Sequence, residues 1–309
     1  MFLFDKQILT LYNKVMKCLY YYNNQSGKNK LEKKKDYIVS RLKEKYDTVD
    51  CFGNGEIDLM KLSLEKNNYD AIVFAGGDGT VNNMINWVGG LKKIPILGYI
   101  PSGTVNDFSK NLGITQNVKK TIDVILKGKT KTIDCFENNG RLGIYVCCIG
   151  LFTSASYQAK HEEKKIFGKL AYYFHSIKEI FRHKAYEIEV EKDGEKQKLN
   201  SVLTLLLNSK SVAGYNFNKS TNLNDGEMEF VSVNQKKKKL TFRSLMTVIK
   251  MFLFGIEKVK KNKNITYFTF KNLKINFENA RTINIDGENG GHNNIDICVL
   301  KGKFQFFCK

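Results

Sequence analysis

The chain has 309 residues, 42% of them hydrophobic, with 50 Lys or Arg against 31 Asp or Glu, a formal net charge of +19. That length can bury substantial cores and favours about two domains, while the charge sets up a long-range field that attracts phospholipid headgroups or nucleic acid. Seven cysteines, an odd number without any Cys-x-x-Cys spacing, argue against a disulfide framework or a zinc site and point to a reducing cytoplasm, and no run of about twenty uncharged apolar residues reads as a membrane span.

Residues 1–15 carry Phe2, Leu3, Phe4, Ile8, Leu9 and Leu11, interrupted by Asp5, Lys6 and Gln7. The run is too short for a signal peptide and reads either as an extra N-terminal arm or as an upstream start, with Met16 a natural beginning. Strands are then expected at 17–22, 47–51, 70–75 and 94–100, alternating with helices around 29–45, 56–66, 81–89 and 117–127. This alternation predicts a parallel βαβ layer. From Asp134 the texture changes. Glu187-Ile188-Glu189-Val190-Glu191 alternates strictly, Asp193-Gly194 marks a turn, and further strands are expected at 201–207, 229–233 and 272–277. A helix over 162–182 with a Tyr172 and Phe174 face interrupts them. The second half therefore predicts an antiparallel sandwich.

Two loops carry the chemical signal. The apolar strand ending at Ala75 runs into Gly76-Gly77-Asp78-Gly79-Thr80-Val81-Asn82-Asn83. Glycines here can take positive φ and let backbone N–H groups approach an anion, and the following helix would aim its positive end at it. The Asp at the centre makes sense beside phosphates when a divalent cation or a reacting hydroxyl lies between them. The next strand opens into Pro101-Ser102-Gly103-Thr104-Val105-Asn106-Asp107-Phe108. Both turns would reach one crevice at the carboxyl ends of parallel strands, where Thr80, Ser102, Thr104 and Asn106 could bond phosphates or ribose.

The sequence resembles the bacterial diacylglycerol kinase and YegS-type lipid kinase family, related to sphingosine kinases, over roughly residues 17–309. Besides the two loops, Asn23-Asn24-Gln25-Ser26-Gly27-Lys28 is similar to the family's Asn-Pro-x-Ser-Gly opening, with Asn24 in place of the proline. Gly168-Lys169-Leu170-Ala171-Tyr172-Tyr173 resembles a helix start of bacterial members. Asn222-Leu223-Asn224-Asp225-Gly226-Glu227-Met228 matches a structural metal loop, and Ile285-Asp286-Gly287-Glu288 matches the late Asp-Gly-Glu motif. The fold implied is α/β: a nucleotide-binding α/β domain of the NAD kinase/diacylglycerol kinase type, residues 16–133 completed by about 297–309, plus a C-terminal antiparallel β-sandwich over 134–296. The strand 304–307 would cross back into the first domain.

The resemblance implies ATP and Mg²⁺ as cofactors and transfer of the γ-phosphoryl to a lipid hydroxyl. It places nucleotide contacts at Asn23, Ser26, Gly27, Gly76, Gly77, Asp78, Gly79, Thr80, Asn82, Asn83, Ser102, Gly103, Thr104 and Asn106. It assigns the general base to the pair Asp286 and Glu288 without choosing between them, although Asp286, after apolar Ile285, reads as the more buried. Asp78 would orient Mg²⁺ or the nucleotide, with Asp107 behind it. The same resemblance assigns a structural Mg²⁺ to Asp225, with Asn222 and Glu227 contributing carbonyls. Two departures affect nucleotide use: Asn83 stands where the family usually has a glutamate, and Cys51-Phe52 where it often has a threonine. Lys236-Lys237-Lys238-Lys239 beside the apolar 245–254 resembles a basic stretch next to an amphipathic helix, suited to an anionic membrane or to a solvated loop. The expected partner is a lipid acceptor at the inner face of the membrane, with no specific nucleic acid because base-reading aromatic motifs are missing, and with a homodimer possible. An NAD kinase, which shares the Gly-Gly-Asp-Gly loop, and a non-catalytic nucleotide- or membrane-binding relative are the alternatives.

Overall fold

The computed structural model describes residues 15–23, 31–151, 184–218, 220–292 and 294–309. The expectations for residues 1–14, for the opening that includes Ser26 and Gly27, and for the helix at 162–182 with its 168–173 motif lie outside the described residues.

The first half folds as its periodicity dictates. Strands β1 (Lys17–Tyr22), β2 (Thr48–Gly53), β3 (Ala71–Gly76) and β4 (Ile96–Pro101) pair in parallel in the order β2-β1-β3-β4. In β1, Cys18, Tyr20 and Tyr22 face one core and Leu19 and Tyr21 the other. Both faces of β1, β3 and β4 are apolar because helices cover both, which is why these strands read as continuous hydrophobic runs, whereas the edge strand β2 is half-exposed. The connecting helices are α1 (Lys35–Leu42), α2 (Ile57–Lys66), α3 (Asp78–Val88), α4 (Asp107–Leu112) and α5 (Val118–Lys127). In α5 the Asn117 side chain accepts the Lys120 N–H at 3.2 Å, Val118, Ile122 and Ile125 line the buried stripe, and Gly128 at φ +78° ends the helix.

The second half is antiparallel. It comprises β5 (Thr130–Asn138), β6 (Arg141–Gly143), β7 (Val146–Gly150), β8 (Tyr186–Lys192), β9 (Glu195–Leu207), the small hairpin β10 (Ser211–Val212) and β11 (Tyr215–Asn216), β12 (Met228–Asn234), β13 (Ile265–Phe270), β14 (Asn272–Phe277), β15 (Ile283–Ile285), β16 (Glu288–Asn289) and β17 (Ile295–Phe307). Phe136, Ile188, Leu206, Phe230, Phe270, Ile275 and Ile285 fill its core. This is the mixed architecture expected: an N-terminal α/β layer and a C-terminal antiparallel, sandwich-like domain. One further helix, α6 (Phe242–Phe254), lies over β11 and β12.

The expected short strand at 304–307 is the tail of a 13-residue strand, β17. Its first part pairs with β14, its last part sets Phe306 beside Leu97 of β4, and β5 accompanies it on both sides of a register shift between Leu300 and Phe304. Gly302 sits at that irregularity with φ +57°, and its N–H donates to Asp134 Oδ1 at 2.6 Å. The β5–β17 ribbon thus belongs to both halves.

Candidate active site

Strands β3 and β4 end side by side, so the loops that follow them are bound to meet. Ser102 N–H donates to Gly76 O at 2.8 Å, and the Tyr99 hydroxyl reaches Gly76 O at 3.2 Å and Asn106 Oδ1 at 3.0 Å. Asn106 takes the left-handed conformation, φ +54°; its side chain accepts Gly103 N–H at 2.9 Å and donates to Gly103 O at 2.7 Å. Asn106 therefore braces the second loop rather than presenting a spare group to a ligand. The Ser102 hydroxyl is buried with no hydrogen-bond partner among the described residues. Its hydrogen-bonding capacity is therefore not used by the described residues.

The glycines work by close approach, not by positive φ. None of Gly76, Gly77 and Gly79 has a positive φ, which corrects the expectation from sequence. A Cβ on Gly103 would stand 2.6 Å from Gly77 Cα, and a Cβ on Gly76 would collide with the Thr80 side chain. On Gly79 it would meet the Glu288 carboxylate. The backbones of the two loops touch, and only residues without side chains allow this.

Helix α3 begins at Asp78, three residues earlier than its periodicity suggested, so Asp78 occupies its first turn. Asp78 Oδ1 accepts the Phe108 N–H at 3.2 Å, tying the first loop to α4. Burial, and then the charge of Asp107, push the Asp78 carboxyl up to about 6, against the pull of the Phe108 and Asp107 N–H groups. Asp107 is buried and accepts Ser211 Oγ at 2.6 Å and Gly214 N–H at 2.8 Å, so its role is to hold the β10–β11 hairpin.

One turn along α3, Asn82 is buried and faces the sandwich, donating to Asp286 Oδ2 at 2.9 Å and to Leu142 O at 3.2 Å. Asn83, 100° further around the helix, faces solvent. The structure therefore does not bring Asn83 into the cluster, and the missing glutamate there leaves the buried network intact. Thr104 is likewise at an exposed loop tip. Asn23 reaches the site, its Nδ2 3.3 Å from Thr80 Oγ1. Cys51 and Phe52 lie half-buried near the end of β2, beside Tyr20 and Tyr21 of β1.

Asp286 and Glu288 part company. Asp286-Gly287 forms the two-residue turn between β15 and β16, with φ of +53° and +88°, the conformation that Asp-Gly suits. The Asp286 side chain, 1% exposed, accepts four donors: Ile144 N–H at 2.7 Å and Asn82 Nδ2 on one oxygen, Tyr145 N–H at 2.9 Å and Val146 N–H at 3.0 Å on the other. Burial pushes its carboxyl up and those donors pull it back. All its acceptor sites are spent on protein. Glu288, two residues on, is exposed and extends over Gly79.

Two residues escaped the sequence reading. Arg141 donates to Asn82 Oδ1 at 3.0 Å and to Asn289 O, joining α3 to β16. A cation among so many lysines carries no sequence signal, but a planar fork is what this two-sided bond requires. Tyr145, whose N–H donates to Asp286 Oδ1 at 2.9 Å, has its phenol pushed well up by burial and then by the charges of Asp78, Asp286 and Asp107.

Asp225 is exposed in its loop, and its Oδ1 accepts the Glu227 N–H at 3.0 Å. Asn222 Oδ1 accepts Asn224 N–H at 3.2 Å, and Gly226 N–H donates to buried Asp134 at 2.7 Å. Among the described residues no group of three His, Cys, Asp or Glu stands together at metal-binding range. A hard ion there would rest on Asp225 alone with carbonyls and water; at the main site it would rest on Asp78 with phosphate oxygens. Both are donor sets that Mg²⁺ accepts.

Two glycine loops thus end adjacent parallel strands and touch one another, and the Glu288 carboxylate from the antiparallel half lies against the first of them. Residues 17–137 match the diacylglycerol kinase catalytic domain, and residues 148–307 match the YegS C-terminal NAD kinase beta sandwich-like domain. The chain is 30% identical over 290 residues to a diacylglycerol kinase of Bacillus subtilis (strain 168), covering 92% of this chain and 91% of that one. It is also 30% identical over 275 residues to a diacylglycerol kinase of Staphylococcus aureus (strain MRSA252), covering 87% and 85%. A crystal structure of a diacylglycerol kinase from Bacillus anthracis str. Sterne superposes with a TM-score of 0.77 at 25% identity, over 96% of this chain and 98% of that one. The chain belongs to the diacylglycerol kinase family of lipid kinases.

Proposed function

We infer that the protein transfers the γ-phosphoryl of ATP to the hydroxyl of a membrane lipid, with diacylglycerol as acceptor and phosphatidic acid as product. The observation that carries this reading is the meeting of Glu288 with Gly79, which sets a carboxylate from one domain over the phosphate-type loop of the other. Backbone N–H groups of the 76–80 loop and the Ser102 hydroxyl would hold phosphate oxygens. Mg²⁺, held by Asp78 and those oxygens, would supply charge neutralisation. Glu288 is the exposed member of the Asp-Gly-Glu pair, whereas Asp286 is buried with four donors on its two oxygens, so Glu288 takes the proton. Asp286 positions the hairpin that carries Glu288, and Arg141 clamps that hairpin onto α3. The lipid hydroxyl enters between Glu288 and the loop, in line with the leaving oxygen.

Incubating the protein with γ-labelled ATP, Mg²⁺ and diacylglycerol in mixed micelles, with NAD in a parallel reaction, should label phosphatidic acid alone. Label in NADP would move the reading to an NAD kinase, and label in neither would remove the phosphotransfer reading. Gly103→Ala, by forcing the two loops apart against Gly77 backbone, should weaken ATP binding at least ~10-fold by titration calorimetry. Normal affinity would show that nucleotide phosphates sit elsewhere.

A further inference from the structure

Of the eight large hydrophobic side chains exposed among the described residues, four lie on α6: Phe242 at 77%, Ile249 at 38%, Leu253 at 60% and Phe254 at 65%. Phe242, Leu245, Ile249 and Leu253 share one helix face at spacings of three and four. The opposite face, Ser244, Thr247, Val248 and Met251, is buried against the sandwich. Such a stripe left outward on a folded domain marks an interaction surface.

The charges around the stripe say what covers it. Residues 236–254 contain Lys236, Lys237, Lys238, Lys239, Arg243 and Lys250 and no acidic residue, and all six cations are exposed. Two copies of this chain meeting across α6 would bring both sets of cations together, which like-charge repulsion opposes. An anionic bilayer instead offers negative headgroups to the lysines and an acyl boundary to the apolar side chains, while long lysine stems remain able to reach outward.

The helix is also joined to the cleft. Phe252 packs on Phe217 with ring centroids 5.3 Å apart and on Tyr215 of the β10–β11 hairpin at 6.4 Å. The same hairpin is held by Asp107 through Ser211 and Gly214, and Asp107 begins α4 directly beside Asp78. Resting on the lipid-kinase reading above, we propose that α6 and the 236–239 lysine run form the docking surface for an anionic phospholipid bilayer, which brings the catalytic cleft to its lipid acceptor.

The test is co-sedimentation of the full chain, without nucleotide, with phosphatidylcholine vesicles and with phosphatidylcholine vesicles containing phosphatidylglycerol. Binding is expected to the second kind only. Phe242→Ser with Leu253→Ser should weaken it at least ~10-fold, and Lys236–Lys239 all changed to Gln about 100-fold. Both variants replace exposed side chains, and their turnover on water-soluble dihexanoylglycerol should equal that of the parent while turnover on vesicle-borne diacylglycerol falls. Wild-type vesicle binding by both variants would overturn the proposal. So would a parent dimer that the Phe242→Ser, Leu253→Ser change dissociates with no vesicle binding, because α6 would then be an interface between copies. No turnover of the parent on dihexanoylglycerol would instead count against the kinase reading, leaving the vesicle result to stand alone.

Discussion

Asp286→Ala and Glu288→Gln should both abolish lipid phosphorylation, the first by dismantling the site and the second without disturbing the fold. Asp286 absorbs three backbone N–H groups and the Asn82 amide in a fully buried position. Alanine leaves those donors with no acceptor, and removing one partner of a buried charged network costs about 3–5 kcal/mol. For a chain of this size that lowers the melting temperature by roughly 5–8 °C. Asp286→Asn should be little better, since an amide nitrogen must then face at least one N–H donor. Glu288 is exposed, so Glu288→Gln should move stability by no more than ~0.5 kcal/mol while cutting kcat by about 10²–10⁴ through loss of the proton acceptor. Thermal melts beside turnover measurements separate the two. A Glu288→Gln protein with undiminished kcat would remove that carboxylate from the reaction.

Asp78→Asn should inactivate the protein and stabilise it. The carboxyl is raised to about 6 in the fold against an ordinary 3.8, so the folded protein holds this proton more tightly than the unfolded chain. The sign follows: the penalty of a charged Asp78 is absent below pH 3.8, grows between pH 4 and 6, and is complete above pH 6. Its size is about 3 kcal/mol at pH 7, offset by about 1 kcal/mol because a negative charge suits the first turn of α3. Asparagine keeps an oxygen for the Phe108 N–H and carries no charge. The melting temperature of the metal-free, nucleotide-free variant should therefore exceed that of the parent by roughly 3 °C at pH 7.5, with the difference closing towards pH 4. Turnover should fall at least ~10²-fold as the proposed hold on Mg²⁺ and phosphate is lost. An unchanged or lower melting temperature at pH 7.5 would mean that Asp78 is not under electrostatic strain.

The alternation of apolar strands and helices up to residue 127, and of single residues after 186, made both layers legible, because each pattern reports directly which faces are buried. The two glycine loops were legible as a pair because adjacent parallel strands must end together. What the sequence concealed follows from geometry that spacing does not encode. Nothing in Asn82-Asn83 says which one faces the sandwich until the helix is known to start at Asp78. Nothing in Asp286-Gly287-Glu288 says that one carboxylate will be buried among four donors and the other exposed beside Gly79. Arg141 was invisible because its partners come from residues 82 and 289, far apart in sequence. The glycines of the first loop were expected to supply unusual backbone angles, whereas their use is the contact between two main chains, a property of the pair that neither loop displays alone.

The β5–β17 ribbon carries a consequence for how the protein is made. The sheet bearing the phosphate-type loops is flanked at β4 by Phe306, a residue that leaves the ribosome only after the whole sandwich has been synthesised. Until then β4 presents an unpaired edge with apolar Leu97 and Tyr99 on it. The N-terminal layer therefore cannot finish folding during synthesis ahead of the C-terminal one, unlike the usual order in chains whose domains are consecutive. A chain stopped short of β17 lacks the strand that pairs with β4 and so lacks one flank of the N-terminal sheet.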